Sequence, residues 1–232
     1  MDTALHMPPH RAHVLIAVKD LGRAKTRLAS RLLPTQRTDL VLAMLRDTVA
    51  AARTAAAVGE ITVITPDPTV VAVAEECGVG WLPDPQSPGD DPLNAVLRAA
   101  AAHPGARPGR TAVVALQGDL PCLLGSELDA ALAAARNHPR AIVVDHHGTG
   151  TAALIVGEPA AGLDPRFGPD SAARHLGSGA TALTGDWPGL RLDVDTAADL
   201  DAAAALGPGP ATVEQLRRIG WHSGAAPTRK FT

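Results

Sequence analysis

Three aspartates follow apolar runs of the chain and could together serve as ligands of a divalent cation. Asp119 comes after the run 113–116 and Gly118, and such a run is typical of a central strand buried on both faces of a parallel sheet. Ligands of open α/β sheets bind just beyond the carboxyl ends of these strands. Asp193 and Asp195 end a second predicted strand, 190–194, on which residues two apart point the same way. Two carboxylates on one side predict a Mg²⁺ site, and the alternative is that one of them, Asp195, caps the helix that follows.

Four cations, Lys19, Arg23, Lys25 and Arg27, fall within nine positions directly after the apolar segment 13–18. Lysine binds phosphate as a point charge, whereas arginine binds it as a bidentate fork. The loop after the first strand is also a common phosphate site in α/β proteins. The cluster therefore predicts contacts to phosphate groups, and the alternative is a solvated, basic start of a helix.

Small residues and hydroxyls in the second half of the chain suit an anion. The Gly-Thr-Gly-Thr segment 148–151 could offer free backbone N–H groups and two hydroxyls, although it could equally be a hairpin turn. Ser171 is predicted to cap a helix over 171–177, whose N-terminus would face the anion. His146, His147 and His175 are expected to be loop or cap residues rather than metal ligands, because no Glu accompanies them at helical spacing.

The apolar periodicity predicts helices alternating with strands up to residue 137, and more strands after it. Thr35 and Ser126 are the expected N-caps of two of the helices. This order predicts an α/β fold with a mixed, mostly parallel central sheet flanked by helices. The predicted strands are 13–18, 60–65, 79–82, 113–116, 141–144, 151–156, 180–183 and 190–194, and the predicted helices are 35–57, 68–77, 93–103, 125–137, 171–177, 197–205 and 212–219.

Composition narrows the class of protein. The chain has 232 residues, a net charge of -3 and no Tyr, which indicates one domain whose core is built from aliphatic side chains. The charge argues against nucleic acid as a partner. No apolar stretch approaches the length of a membrane span, and residues 1–12 lack a signal core. Cys77 and Cys122 have neither metal nor disulfide spacing, so we expect reduced thiols in a cytoplasmic protein.

We expect a domain over 13–206, a C-terminal helical appendage over 207–221, and disordered tails at 1–12 and 222–232. Taken in order, the motifs of this chain resemble the guanylyltransferases of coenzyme F420 biosynthesis, which join GTP to phosphoenolpyruvate or to 2-phospho-L-lactate. As a set these motifs are specific, and the resemblance covers about residues 13–206. They are the basic loop 19–27, Leu93-Asn94, Gly118-Asp119-Leu120-Pro121, Gly148-Thr149-Gly150-Thr151, Phe167-Gly168-Pro169-Asp170-Ser171, His175 and Asp193-Val194-Asp195.

The resemblance implies a single-domain, GT-A-like (Rossmann-like) nucleotidyltransferase fold and an enzyme that uses Mg²⁺. It implies that Asp119, Asp193 and Asp195 hold the metal ion, with Asp119 and Lys25 as catalytic residues. GTP would contact Lys19, Arg23, Lys25, Arg27, Asn94 and Gly118, and the acid would contact Thr151, Gly168 and Ser171. The chain departs from the family pattern at Pro92, where a Gly is common, and at Ala152, where a Thr is common.

The choice of acid rests on composition, because usage rich in Ala, Arg, Gly and Pro is typical of the actinobacterial branch, which uses phosphoenolpyruvate. We therefore predict GTP and phosphoenolpyruvate as partners, a homodimer as the candidate assembly, and transfer of the product to the next F420 pathway enzyme. Three alternatives remain open. They are the phospholactate enzyme, a sugar or molybdenum-cofactor nucleotidyltransferase, and a nucleotide-binding module without catalysis. The sugar or molybdenum-cofactor enzyme is disfavoured, because those enzymes usually have a Gly-rich loop after the first strand, whereas this loop has one Gly.

Overall fold

The computed structural model describes residues 11–19, 21–23, 25–84, 92–102, 112–157 and 162–221. The predicted tail 222–232 and residues 1–10 of the N-terminal tail lie outside these ranges. The strands are β1 (Ala12–Ala17), β2 (Val58–Thr65), β3 (Gly80–Pro83), β4 (Val113–Leu116), β5 (Ala141–Val144), β6 (Thr151–Val156) and β7 (Thr181–Ala182). The α-helices are α1 (Pro34–Thr54), α2 (Pro68–Glu76), α3 (Pro92–Ala101), α4 (Gly125–Ala135), α5 (Ser171–Gly177), α6 (Pro188–Arg191), α7 (Ala197–Leu206) and α8 (Pro210–Arg218).

These strands form one sheet in the order β3-β2-β1-β4-β6-β5-β7. The first four of them run parallel, whereas β6 is antiparallel to both of its neighbours. The mixed, mostly parallel sheet that the sequence predicts is therefore confirmed. Strands β2 and β3 lie on one side of β1, whereas β4 lies on its other side, and the ends of the parallel strands β1 and β4 lie side by side with Ile16 opposite Leu116. Ligands of such sheets bind at this kind of switch point, where the loops after both strands meet.

Side chains that alternate along β1 divide the core into two layers. Val14 and Ile16 pack on the side of α1, while Leu15 packs with Val96 and Leu97 of α3 on the other side. Each of these three β1 side chains is fully buried. A strand covered on both faces is mostly apolar, which explains the apolar run 14–17, and the one polar residue of β1, His13, forms a buried hydrogen bond with the Thr62 hydroxyl at 2.8 Å.

The structure contradicts the predicted strand 190–194. Pro188 begins the short helix α6, and the segment 192–195 after it is irregular. Gly189 packs so closely on Cys122 that an added Cβ would lie 2.0 Å from the carbonyl oxygen of Cys122, and its N–H donates to Glu127 Oε1 at 3.0 Å. A proline followed by a backbone contact of this kind fixes a turn, so Asp193 and Asp195 are not neighbours on one face of a strand.

Three predicted helix caps are also wrong. Helix α1 begins one residue before Thr35, at Pro34, because proline is well suited to the first helical position. Helix α4 begins at Gly125, before Ser126, and Glu127 accepts the N–H of Leu124 at 3.2 Å. At α5 the N-cap is Asp170, which leaves Ser171 as the first helical residue.

Helix α7 is capped by Thr196 instead of Asp195. The Thr196 hydroxyl accepts the N–H of Asp199 at 3.2 Å, and Asp199 Oδ2 accepts the N–H of Thr196 at 2.7 Å. This reciprocal pair is a capping box. Asp195 is therefore not engaged as the cap, which the sequence left as an alternative for it.

Helix α8 is attached to α1 by a buried carboxylate. Asp47 accepts the N–H groups of Ala211 at 3.1 Å and Thr212 at 2.7 Å, which lie in the first turn of α8. Leu216 is buried in the same core as α1. The division of the chain at residue 206 stays a prediction. No helix of the described residues has the length and apolar character needed to cross a membrane.

Candidate active site at the ends of β1 and β4

Asp119 is held in place by a threonine of α1. The buried hydroxyl of Thr48 donates to Met44 O at 2.9 Å and accepts the N–H of Leu120 at 3.1 Å. This pair of bonds ties the turn after β4 to the helix beneath it. A Cβ on Gly118 would lie 3.0 Å from Ile16 Cγ2, a tight contact that favours glycine before Asp119. Thr48 is buried among the apolar residues of α1, and its residue type alone gives no signal of this role.

Lys25 joins two of the three predicted carboxylates. Its Nζ donates to Asp119 Oδ2, and to Asp195 Oδ1 at 2.8 Å. Its backbone has φ 51° and ψ 43°, a left-handed conformation that is uncommon for a residue with a side chain and is often found at functional sites. Burial alone would lower the pKa of Lys25, but the two carboxylates outweigh it and raise the pKa above its usual range.

Asp193 lies near Asp119 because the backbone of Val194, the next residue, is bonded to the backbone of Asp119. The N–H of Val194 donates to Asp119 O at 3.2 Å, so the irregular segment after α6 lies against the turn after β4. Burial raises the pKa of Asp193 to about 7, and the negative charges of Asp119, Asp195 and Asp145 add to the effect. The structure thus brings the three predicted aspartates together, although by a route other than the predicted strand.

The excess of negative charge leaves two buried oxygens without a hydrogen bond. Within the described part of the chain, Asp119 Oδ1 and Asp193 Oδ1 have no donor. A buried acceptor without a partner is costly. Carboxylate oxygens are also the ligands that hard divalent cations prefer. The three aspartates therefore fit a Mg²⁺ site, with Asp195, whose side chain is 47% exposed, on its open side.

A cavity of about 570 Å³ opens beside these carboxylates. Among the predicted GTP contacts, Lys19, Lys25 and Gly118 line it. Arg27 is largely exposed, and its Nη1 lies 3.9 Å from Asp195 Oδ2. The side chain of Arg23 lies outside the described structure. The remaining lining residues are Ala17, Val18, Leu21, Val41, Pro66, Asp84, Pro92, Gln117, Asp119 and Asp195.

Asn94 is engaged elsewhere. Its side chain is buried, and it binds the backbone of Phe167 from both sides: its Nδ2 donates to Phe167 O at 3.0 Å and its Oδ1 accepts the Phe167 N–H at 2.8 Å. The described contacts of Asn94 therefore fix the loop before α5. Its predicted contact with GTP stays a prediction.

Two hydroxyls predicted to bind the acid, those of Thr151 and Ser171, lie together. Ser171 Oγ donates to Thr151 Oγ1 at 3.1 Å, and His175 Nδ1 lies 3.0 Å from the same oxygen. His175 Nε2 accepts the N–H of Arg166 at 2.9 Å, so a neutral ring carries its proton on Nδ1 and donates it to Thr151. The Thr151 oxygen then receives two hydrogen bonds, which leaves its own hydrogen for a further acceptor.

His175 is held neutral by its surroundings. Burial lowers its pKa to about 4, and the positive charges of Arg174 and Arg140 act in the same direction. The sequence analysis expected no more than a loop or cap role for it. Gly168, the third residue predicted to contact the acid, has φ +117°, and a Cβ there would lie 2.8 Å from Arg174 Nη2. The positive φ favours glycine at this position, and a larger residue would also have to displace the Arg174 guanidinium.

The segment 145–150 is a closed hairpin turn between β5 and β6. Asp145 Oδ1 accepts the N–H of Thr149 at 3.0 Å, and Asp145 O accepts the N–H of Gly148 at 3.2 Å. Two of the four N–H groups of the segment 148–151 are thus bonded within the turn, and the hairpin turn that the sequence offered as an alternative is present. Gln117 connects the two halves of the site, because it lines the cavity and its Nε2 donates to Thr151 O at 3.3 Å.

Comparison with known proteins identifies the family to which the chain is similar. A family model described as guanylyl transferase CofC like matches residues 12–230. The chain is 54% identical over 222 residues to a phosphoenolpyruvate guanylyltransferase of Rhodococcus opacus (strain B4), covering 91% of this chain and 92% of that protein. It is 57% identical over 212 residues to phosphoenolpyruvate guanylyltransferase 1 of Rhodococcus jostii (strain RHA1), covering 87% and 91%.

Solved structures share the fold at low sequence identity. The structure of a cytidylyltransferase from Leptospira borgpetersenii serovar Hardjo-bovis (strain JB197) superposes with a TM-score of 0.56. It is 13% identical and covers 91% of this chain and 94% of that chain. This likeness confirms the predicted nucleotidyltransferase fold.

Proposed function

The chain belongs to the family of CofC-like guanylyl transferases, and we propose that it transfers GMP from GTP to phosphoenolpyruvate. The products would be enolpyruvoyl-2-diphospho-5'-guanosine and pyrophosphate, as a step of coenzyme F420 biosynthesis. The observation that carries the proposal is the identity of more than half with relatives named for this reaction, over about nine tenths of the chain. The grouping of Lys25 with Asp119 and Asp195 beside a cavity adds support from the site itself.

Asp119, Asp193 and Asp195 would hold Mg²⁺. Two of their buried oxygens lack a donor within the described residues, and all three side chains offer the hard oxygen ligands that this ion prefers. When bound, Mg²⁺ supplies charge neutralisation and orientation for the triphosphate.

The basic loop would bind the triphosphate in the cavity. Lys25 carries a positive charge into a buried position, and Lys19 lines the same space. Arg23 and Arg27 are proposed to contact the triphosphate as well. Gly118 would let a phosphate approach the backbone closely, because no side chain stands between them.

The acid would bind where Thr151, Gly168 and Ser171 meet. Thr151 has a hydroxyl hydrogen left after it accepts from His175 and Ser171, and this hydrogen suits a carboxylate or phosphate oxygen. Gln117 lies between this pocket and the cavity. The acid would therefore approach the nucleotide from the side of β6.

The reaction needs two anions to meet, so positioning and screening do most of the work. A phosphate oxygen of the acid attacks the α-phosphorus of GTP, a new P–O bond forms, and the bond to pyrophosphate breaks on the opposite side. Lys25 stabilises the charge that develops on the transferred group, and Asp119 keeps Lys25 in place. No enzyme nucleophile is required for this single displacement.

We further propose that the enzyme works in the cytoplasm, forms a homodimer and passes its product to the next transferase of the pathway. Cys77 and Cys122 are free thiols, and burial raises the pKa of Cys122 to about 12, which disfavours the reactive thiolate. A reduced, inert thiol is compatible with the cytoplasm. Light scattering during gel filtration would measure the mass of the assembly.

The proposed function is tested by pyrophosphate release from GTP and Mg²⁺ with either phosphoenolpyruvate or 2-phospho-L-lactate. We expect rapid release with phosphoenolpyruvate and little without an acid. The matched control is Asp119→Asn, which keeps the shape of the side chain and should lose turnover. If phospholactate supports pyrophosphate release and phosphoenolpyruvate does not, the choice of acid is wrong. If no pyrophosphate is released with either acid, the proposed reaction is wrong.

A further inference from the structure

Two histidines and an aspartate form a cluster that the proposed reaction does not use. His146 and His147 lie in the turn after β5, and Asp199 lies in the first turn of α7. The Nε2 atoms of His146 and His147 lie 3.0 Å and 3.1 Å from the same atom, Asp199 Oδ1. All three potential ligand atoms are within 4.8 Å of one another.

These separations are close to those in a tetrahedral metal site. Zinc binds imidazole nitrogen and carboxylate oxygen at about 2.0–2.2 Å, so neighbouring ligand atoms of a tetrahedral ion are about 3.3 Å apart. The observed distances of 3.0 Å and 3.1 Å would have to increase by only a few tenths of an ångström. The two imidazole rings lie side by side, with centroids 3.8 Å apart, so both present Nε2 to the same point.

The carboxylate of this cluster is already oriented. Asp199 is 2% exposed, and its Oδ2 accepts the N–H groups of Asp195 at 3.0 Å and Thr196 at 2.7 Å. These bonds occupy one oxygen of the carboxylate and leave Oδ1 turned toward the histidines. The capping box thus fixes the ligand before any ion arrives, which is the kind of support that metal ligands usually receive.

His146 is oriented as well. Its backbone N–H donates to Arg191 O at 2.9 Å, and its Nδ1 lies 3.5 Å from Asp193 Oδ1. This separation is an ionic contact without a hydrogen bond, so Asp193 Oδ1 stays available to the proposed Mg²⁺. The side chain of His147 is 53% exposed, which leaves solvent access to the cluster and an open position for a fourth ligand.

We propose that His146, His147 and Asp199 bind a late first-row divalent ion such as Zn²⁺ or Co²⁺. Two nitrogen ligands and one oxygen favour such an ion over Mg²⁺, which prefers oxygen alone. The site lies next to the three aspartates, since His146 Nδ1 is 3.5 Å from Asp193 Oδ1, but it uses none of their carboxylates as ligands. It gives His146 and His147 a role other than the loop or cap role expected from the sequence. The competing explanation is that both histidines only donate hydrogen bonds to the capping carboxylate.

The test uses full-length protein without a histidine tag, freed of metal by a chelator and kept in excess Mg²⁺. Co²⁺ and Zn²⁺ are titrated by calorimetry, and the visible absorption of Co²⁺ reports its coordination. The variant is His147→Ala, which removes a half-exposed ligand. The matched control is His138→Ala, a histidine outside the cluster, so that all other histidines and both thiols contribute equally to the two proteins.

We expect one ion bound per wild-type chain, an unchanged affinity in His138→Ala and a loss of about tenfold or more in His147→Ala. Co²⁺ should give intense absorption typical of low coordination in the wild type, and His147→Ala should lose it. Equal affinities in the two variants, or no binding by the wild type in excess Mg²⁺, would overturn the proposal. Thermal unfolding of His147→Ala without Co²⁺ or Zn²⁺ is the control for folding, and we expect a cooperative transition like that of the wild type.

Discussion

The buried histidine of the acid pocket makes the stability of the protein depend on pH. His175 has a pKa of about 4 in the folded chain, against about 6.5 when it is solvated. Between these two values the unfolded chain binds a proton that the folded chain does not. The free energy of unfolding therefore falls as the pH decreases from 6.5 toward 4, and this contribution is fully present above pH 6.5.

The size of the effect follows from the two pKa values. A difference of about 2.5 pKa units corresponds to about 3.4 kcal/mol at most, of which about 2 kcal/mol is lost between pH 7.5 and pH 5.0. The ring has 0% exposure, so solvent does little to reduce this value. The physical cost of protonation is the loss of the bond from the Arg166 N–H to Nε2 and the burial of a charge near Arg174.

The assay is urea unfolding of the wild type and of His175→Gln at pH 7.5 and pH 5.0. The variant removes the titrating group, so its free energy of unfolding should change by about 2 kcal/mol less between the two pH values than that of the wild type. Its absolute stability does not enter the comparison. His138→Gln is the matched control and should keep the wild-type change. An equal change in wild type and His175→Gln would refute the reasoning.

Four substitutions test the rest of the site. Asp119→Asn should abolish turnover and leave thermal unfolding nearly unchanged, and activity close to wild type at saturating Mg²⁺ would contradict its role as a ligand. Lys25→Ala should weaken GTP binding, measured by calorimetry, by a charge-assisted contact of about 1.5–3 kcal/mol; unchanged binding would remove the loop from the nucleotide site. Gly168→Ala should raise KM for the acid more than KM for GTP, because a Cβ meets Arg174 and the backbone is left-handed; equal KM values would place the acid elsewhere. Thr48→Val should lower kcat by releasing Leu120, and unchanged turnover would show that Asp119 needs no support from α1.

Much of the fold could be predicted because apolar periodicity determines which faces are buried. The strand at 113–116 is an example, since a short apolar run between turn residues is typical of a buried strand. The segment 190–194 shows where this fails. Its alternation resembles a strand, but Pro188 and the contact of Gly189 with Cys122 fix a helical turn. That contact joins residues far apart in the chain, so it cannot be predicted from the local sequence.

The site could be predicted only in part, for a similar reason. Charged residues such as Lys25 and Asp119 are visible in the sequence because their types suit phosphate and metal chemistry. The residues that orient them are ordinary in type: Thr48 occurs within an apolar helix face, and His175 looks like a loop residue. Their roles depend on bonds across the fold. Asn94 illustrates the reverse case, because its described bonds lead to Phe167 whereas the resemblance assigned it to the nucleotide.

In the proposed reaction, a phosphate oxygen of phosphoenolpyruvate attacks the α-phosphorus of GTP. The most direct measurement is the mass of the product formed from phosphoenolpyruvate labelled with ¹⁸O at the three terminal phosphate oxygens. We predict that the guanylylated product keeps all three labels and that the released pyrophosphate carries none. A product that has lost a label, or labelled pyrophosphate, would contradict the proposed transfer.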